Sequence, residues 1–335
     1  MSFEGRLFER TGLKKYEHCL KLIEANASIA PLWERVCLAL YAGTGPSLAR
    51  LFGVDASENW KRVDRIIAEV LAVTGLQPGE VARLLREYIR LRRGSVHHLP
   101  FDKACVHIYE QSFYPVVTHF TYALQPSATA RLNFVKEVLE SMTDEQAEVA
   151  DLGCGSGVIL NEILTLKQSW TGYGLDISHA SINYARKLAA HKGVAERAEF
   201  MTGDASMLPY ADQSLSLVIA SEVIEHLPHP ELIVKEIARV LKPGGKLILT
   251  MPLESHTPAH LHALRSAQDL RALCEDAGLR VRRLEPRWHL GFGDDPKHVF
   301  ALAEARASGE AFTGELAGTN VIRSFPSAYP EPEIA

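Results

Sequence analysis

Cysteine is scarce and poorly spaced for structural chemistry. The five residues, Cys19, Cys37, Cys105, Cys154 and Cys274, include no C-x-x-C pair in a chain of 335 residues, which speaks against a disulfide framework and against a zinc ribbon. Long apolar runs are missing too, since no stretch approaches the ~18 residues of a membrane-spanning helix. The opening MSFEGRLFER is charged from its fourth residue and has no apolar h-region. No membrane partner is expected, and the cytoplasm is the expected location. Basic excess is also lacking. With 36 Lys+Arg against 41 Asp+Glu the formal charge is -5, so a nucleic-acid partner is not expected without a local basic patch. The one dense basic stretch, RLLREYIRLRR at Arg83–Arg93, sets Val81, Leu84, Leu85, Tyr88 and Ile89 at helical spacing. It reads as a solvated helix face or as a patch for an anionic substrate or partner.

Apolar patterning is plentiful, and 47% hydrophobic residues suffice for a sizeable core. From about residue 12 to 125 the pattern is helical. It is clearest in RVDRIIAEVLAVTG, where Val63, Ile66, Ile67, Val70 and Leu71 share one stripe and Gly75 offers a stop. Beyond Glu145 short apolar runs recur (EVADL, TGYGLD, AEFMTG, LSLVIAS, KLILTMP), each separated by a helix-length segment. That alternation predicts an α/β fold with a mostly parallel sheet. LRVRRLEP and KHVFALAE read as two closing strands, and the tail from Arg306 is expected to be loosely ordered or draped over the surface.

Between the first strand and its helix lies VADLGCGSG, Val149–Gly157. Gly153, Gly155 and Gly157 let the main chain approach a nucleotide closely, but G-x-G-x-G is not the dinucleotide fingerprint G-x-G-x-x-G. Acids recur at successive strand ends: Asp151, Asp176 and Asp204. In a parallel sheet those ends share one edge, so one ligand could touch all three. Asp176 follows the loop at the spacing of about 20 residues from which a carboxylate takes ribose hydroxyls. Asp204 can sit near an adenine amino group, with Met207 and Leu208 as apolar cover. Asp151 would repel a pyrophosphate and suit a cationic amino-acid moiety, which argues against NAD.

DLGCGSG, GYGLDIS, GDASMLPYADQSLSLVIASEVIEHL and RVLKPGGKLILTMP resemble the successive motifs of class I S-adenosylmethionine-dependent methyltransferases. The resemblance covers about residues 115 to 305. It implies a Rossmann-like seven-stranded sheet whose last strand, KHVFALAE, runs antiparallel. It also implies S-adenosylmethionine as cofactor and S-adenosylhomocysteine as product. The glycines 153, 155 and 157 would meet the methionine part, Asp176 with Ile177 the ribose, Asp204 with Ala205 the adenine, and Glu222 would lie near the methyl. The expected organisation is a helical lid or dimerisation domain over 1–115, a catalytic domain over 116–305, and a tail over 306–335. The helical domain is expected to mediate a homodimer; the alternative is that its stripes close on the chain's own core.

Methyl transfer from a sulfonium needs alignment and water exclusion above all, with a base only where the acceptor is a hydroxyl or protonated amine. His226, after the fourth strand, is such a base or a pocket wall. ESHTPAHLHALRS sets His256, His260 and His262 before the next helix, and His260 matches a position that relatives often fill with histidine. No metal is expected there, because no acid or cysteine stands at ligand spacing. His298 is expected to be architectural. Residues 97–126 pack histidines and aromatics into one span, from which Tyr109, Tyr114, His119 and Tyr122 are candidates for a substrate lid, with core packing the alternative. The expected acceptor is a small metabolite with an O, S or N nucleophile. A small thioether acid is one analogy, its carboxylate met by the arginine-bearing helix. The alternatives are a protein or RNA methyltransferase docking through the helical front, a binding protein without turnover, and a dehydrogenase.

Overall fold

In the computed structural model, the structure describes residues 58–77, 79–81, 83–84, 109–124, 126–205, 207–253, 260–287, 298–306 and 323–324. The expectations for most of the helical front, for the basic stretch beyond residue 84, for His256 and for most of the tail lie outside them.

Each apolar run beyond Glu145 becomes a strand. These are β1 (Glu148–Leu152), β2 (Thr171–Asp176), β3 (Ala198–Thr202), β4 (Leu215–Ser221) and β5 (Leu241–Pro252), followed after a short β6 (His262–Ala263) by β7 (Leu279–Arg287) and β8 (His298–Ala305). β1 to β5 pair in parallel, as strands buried on both faces by crossover helices should. The sheet order is β3-β2-β1-β4-β5-β8-β7. β8 runs antiparallel to both β5 and β7, the orientation expected of KHVFALAE. A two-residue β9 (Arg323–Ser324) pairs with β6, which returns part of the tail to the loop after β5.

The helices are α1 (Glu58–Thr74), α2 (Tyr114–Leu124), α3 (Pro126–Glu140), α4 (Val158–Leu166), α5 (His179–Lys192), α6 (Pro230–Val240) and α7 (Ala267–Asp276). Their ends follow local chemistry. Ser178 accepts a hydrogen bond from Ser181 N to cap α5, and Gly193 ends it in the left-handed region. Ser266 and Asp269 form a reciprocal capping box on α7, and Pro230 fills the first turn of α6. One face of the sheet packs on α6 and α7, the other on α3, α4 and α5. Val149, Leu217 and Ile219 are fully buried at its centre, where truncation to Ala of the larger side chains would cost about 2–5 kcal/mol.

Strand order reverses between β1 and β4, and a ligand crevice opens outside the carboxyl ends of the strands at such a point. α1 packs against α2 and α5. Its Glu69 accepts from Lys192 Nζ at 2.6 Å and lies 3.2 Å from His119 Nε2, while His119 Nδ1 lies 2.8 Å from the Tyr184 hydroxyl. This suits a neutral ring whose Nε2–H donates to Glu69 and whose Nδ1 accepts from Tyr184. His119 is therefore a buried joint between α1, α2 and α5, at the wall of a cavity that Glu69, Tyr122 and Lys192 also line.

Candidate functional site

The glycine loop leaves β1 at the strand-order reversal, and each glycine answers a separate constraint. Gly157 caps α4 at φ 74, and a Cβ there would stand 2.7 Å from the Ala185 methyl. Gly155 has φ 52 with open space around it, its nearest neighbour being Thr118 Oγ1 at 4.0 Å from an added Cβ. The positive φ, not crowding, favours glycine here, and the open space beside it leaves a cradle with room for a ligand. Asp176 fixes the loop: its carboxylate accepts from Gly155 N at 2.8 Å and from Ser178 N at 2.9 Å. Burial raises its pKa, and these two bonds oppose the rise.

Asp151, in β1, is buried with Oδ2 lacking any hydrogen-bond partner among the described residues. Burial, and then the charge of Asp176, push its pKa up to about 8. An orphaned carboxylate oxygen beside a glycine cradle is a seat for a cationic donor. At the ends of β2 and β3 two large apolar side chains face solvent, Ile177 (48% exposed) and Met207 (81%), beside the exposed Asp204 and the buried Ala205. A flat apolar ring between them would cover surface that otherwise stays wet. Leu208, expected to share that task, is instead buried in the core.

The segment before the core closes over this edge. Tyr109 and Tyr114 pack with ring centroids 4.8 Å apart, and the Tyr109 carbonyl accepts from Ser178 Oγ at 2.7 Å. Glu110 accepts from His179 N at 2.9 Å, at the start of α5. Tyr122 sits among Arg131, Asp151 and Glu222. Burial raises its pKa and the two acids add to that, against the opposing pull of Arg131, to about 12.

Glu222, the first residue after β4, has φ 58. A bulky non-glycine residue held in the left-handed region marks a position fixed by its surroundings. Its N–H donates to Thr250 O at 3.1 Å, and its carboxylate accepts from Thr250 Oγ1 at 3.0 Å. Oε2 lies 3.0 Å from His298 Nε2 and 3.9 Å from Arg131 Nη1. Burial alone would raise its pKa, but His298, Arg131 and the hydrogen bonds outweigh burial and hold it at about 2. Glu222 is thus an ionised, oriented carboxylate. His298 belongs to this site, and its expected architectural part is played against Glu222 itself.

One turn on, Glu225 is fully buried with neither carboxylate oxygen hydrogen-bonded to a described residue. Burial, then the Glu222 charge, push its pKa well above the usual carboxylate range. His226 Nε2 stands 4.0 Å from Glu225 Oε1, and the His226 and His260 rings meet edge-on with centroids 4.8 Å apart. His260 Nδ1 has no hydrogen-bond partner among the described residues, and burial, then His226, lower its pKa to about 4. The chain is pinned here by Leu261 N donating to Glu225 O at 2.8 Å. His262 turns away, its Nε2 lying 3.1 Å from Pro228 O. The expectation that no acid accompanies these histidines is overturned in space: one ligand atom each from Glu225, His226 and His260 lies within 4.8 Å of the others.

Reasoning from sequence missed Glu225, Arg131 and Thr250. Glu225 did leave a signal, a carboxylate inside the apolar turn SEVIEHL.

Residues 150–249 match the family described as Methyltransferase domain. The chain is similar to Methyltransferase GfsG of Streptomyces halstedii, 33% identical over 140 residues, which are 39% of this chain and 49% of that protein. It is 34% identical over 127 residues to the chloroplastic tocopherol O-methyltransferase of Arabidopsis thaliana, covering 36% of each. It is 26% identical over 180 residues to norajmaline N-methyltransferase of Rauvolfia serpentina, covering 52% of this chain and 61% of that one. The chain thus spans less than two thirds of the length of each of these curated relatives. Among solved structures, a putative sarcosine dimethylglycine methyltransferase from Galdieria sulphuraria aligns over 55% of this chain and 87% of its own, with 17% identity and a TM-score of 0.47.

Proposed function

We propose that this chain, whose residues 150–249 match the methyltransferase-domain family, is a class I S-adenosylmethionine-dependent methyltransferase that moves a methyl group to an oxygen, sulfur or nitrogen of a small metabolite. The observation that carries the reading is the donor seat at the strand-order reversal, where the Gly155 cradle and the orphaned Asp151 oxygen stand beside Asp176. Bound there, S-adenosylmethionine would supply a methyl already activated by its sulfonium. The residues suit that donor. Asp176 has lone pairs left for the ribose hydroxyls, Asp151 Oδ2 can accept from the ammonium, and Ile177, Ala205 and Met207 flank the space for the base, with Asp204 at its rim.

On the acceptor side, Glu222, Tyr122, His226 and His260 line the corner toward which β4 and β5 deliver their loops. His260, neutral at physiological pH because its pKa lies near 4, offers a lone pair to an acceptor proton. Tyr109 and Tyr114 belong to the strap over the donor. The relatives named for tocopherol and norajmaline favour a small acceptor. The thioether-acid analogy leans on the arginine-bearing stretch, most of which lies outside the described residues, and the relatives' names add nothing to it. No helix among the described residues is long and apolar enough to cross a membrane. A cytoplasmic location and a homodimer through residues 1–115 belong to the same proposal, tested by fractionation and by sedimentation.

The deciding experiment incubates purified protein with methyl-labelled S-adenosylmethionine and either a deproteinised, nucleic-acid-free metabolite extract or a macromolecular fraction. Label in a small product is the expected result. Label only in protein or RNA would transfer the case to a macromolecular methyltransferase, and donor affinity without any transfer would leave a binding protein.

A further inference from the structure

Among the described residues, Glu225, His226 and His260 form a cluster around a buried carboxylate that the donor seat does not explain. A fully buried carboxylate without a hydrogen bond is costly, and the Glu222 carboxylate nearby increases that cost. Two imidazoles and a carboxylate converging within 4.8 Å are the ligand set that borderline first-row cations take. The backbone bond from Leu261 to Glu225 brings His260 to the acid and fixes one side of the set. Ligands on one ion at ~2.1 Å lie roughly 3–3.5 Å apart. The half-exposed edge of the cluster, His226, with 21% of its side chain accessible, is the member with room to close that gap.

We propose that Glu225, His226 and His260 bind one divalent first-row cation in the acceptor corner, leaving open positions for an oxygen of the acceptor. A cation there adds to Arg131 the counter-charge that ionises the buried Glu225 and takes the Nδ1 lone pair of His260; with the ion bound, the ion replaces the imidazole in activating the acceptor oxygen. Three protein ligands with open positions are the arrangement of a site that also takes an exogenous ligand, so the acceptor class narrows to hydroxyl or phenol compounds whose oxygen reaches the ion. That last step rests on the proposed methyl transfer; the binding of the ion does not.

The test uses the full chain, stripped with a chelator, and Co2+ alone as probe, read by equilibrium dialysis and by the visible absorption of the bound ion, without donor or acceptor. The expected result is one Co2+ per chain, with affinity falling at least tenfold in Glu225→Gln and in His260→Ala. Absence of stoichiometric binding, or full binding in both variants, overturns the proposal. Should Glu225→Gln fail to fold by circular dichroism, His226→Ala decides, with the same tenfold loss expected and unchanged affinity counting against the site. Because no methyl donor is present, a negative here leaves the methyl-transfer reading standing. A protein that binds Co2+ at this site but transfers no label keeps the ion and loses the activity.

Discussion

Three carboxylates within a few residues of the glycine loop and the β4 end meet three different fates, and the difference is environmental. Glu222 is surrounded by donors and cations and stays ionised down to about pH 2. Asp176 gives one lone pair of each oxygen to a backbone N–H and keeps the others for a ligand. Asp151 has burial and a neighbouring acid but no donor at Oδ2, and titrates near pH 8. A cationic ligand favours the ionised form of Asp151, while the free protein at neutral pH favours the acid. Donor binding should therefore release a proton, and S-adenosylhomocysteine affinity should rise between pH 6 and 8 by up to about tenfold per unit, levelling as pH reaches the pKa. Isothermal titration calorimetry in buffers of different ionisation enthalpy measures both effects. Asp151→Asn, isosteric and unable to titrate, should flatten the slope and abolish the proton release. A slope that survives in the variant would assign the titration to another group.

At the scale of elements, the joint of α1 with α2 and α5 is held by a polar core. His119 is buried there with its pKa lowered, burial opposing its charge more than Glu69 supports it. Glu69 is itself held at about 2, because hydrogen bonds from His119 and Lys192 outweigh its own burial. Both groups act in one direction. Below pH 6.5 the unfolded state takes up a proton at His119 that the folded state refuses, so stability falls with acidification; the Glu69 contribution follows as pH drops from 4.5 toward 2. His119→Ala leaves Tyr184 and part of Glu69 without a partner and should cost about 2–3 kcal/mol at pH 7. The gap in thermal midpoint between wild type and variant should narrow from pH 7 to pH 5, since the variant has no imidazole to protonate. A gap independent of pH would mean that the ring titrates alike in the folded and unfolded states, and a gap that widens toward pH 5 would mean that it is protonated in the folded state. The same joint marks a limit of the sequence. His119 looks like a cleft residue in a Tyr- and His-rich span, and its burial depends on Glu69 and Tyr184, neither of which any local period connects to it.

For the whole molecule, the strands and the acids at their ends were legible, because central parallel strands are short apolar runs cut off by glycine and each acid follows its own run. The insertion of β8 between β5 and β7 is a matter of topology that spacing does not carry; the family resemblance implied only that the last strand runs antiparallel. The acceptor corner was legible only in parts: Glu225 and His226 lie in one turn, while His260 and His298 return from beyond β5 and β7, through closures that no motif records. The donor seat joins β1, β2 and the α5 N-terminus under α2, so its ligand should stabilise the whole catalytic unit. At about 100 times the dissociation constant a ligand adds ~2.7 kcal/mol, which for a domain of this size corresponds to roughly 5–10 °C in thermal midpoint. S-adenosylhomocysteine should produce that shift and NAD none. Asp176→Ala should lose the shift, since the ribose contacts and the anchor on Gly155 go together. A shift with NAD and none with S-adenosylhomocysteine would turn the crevice back into a dinucleotide site.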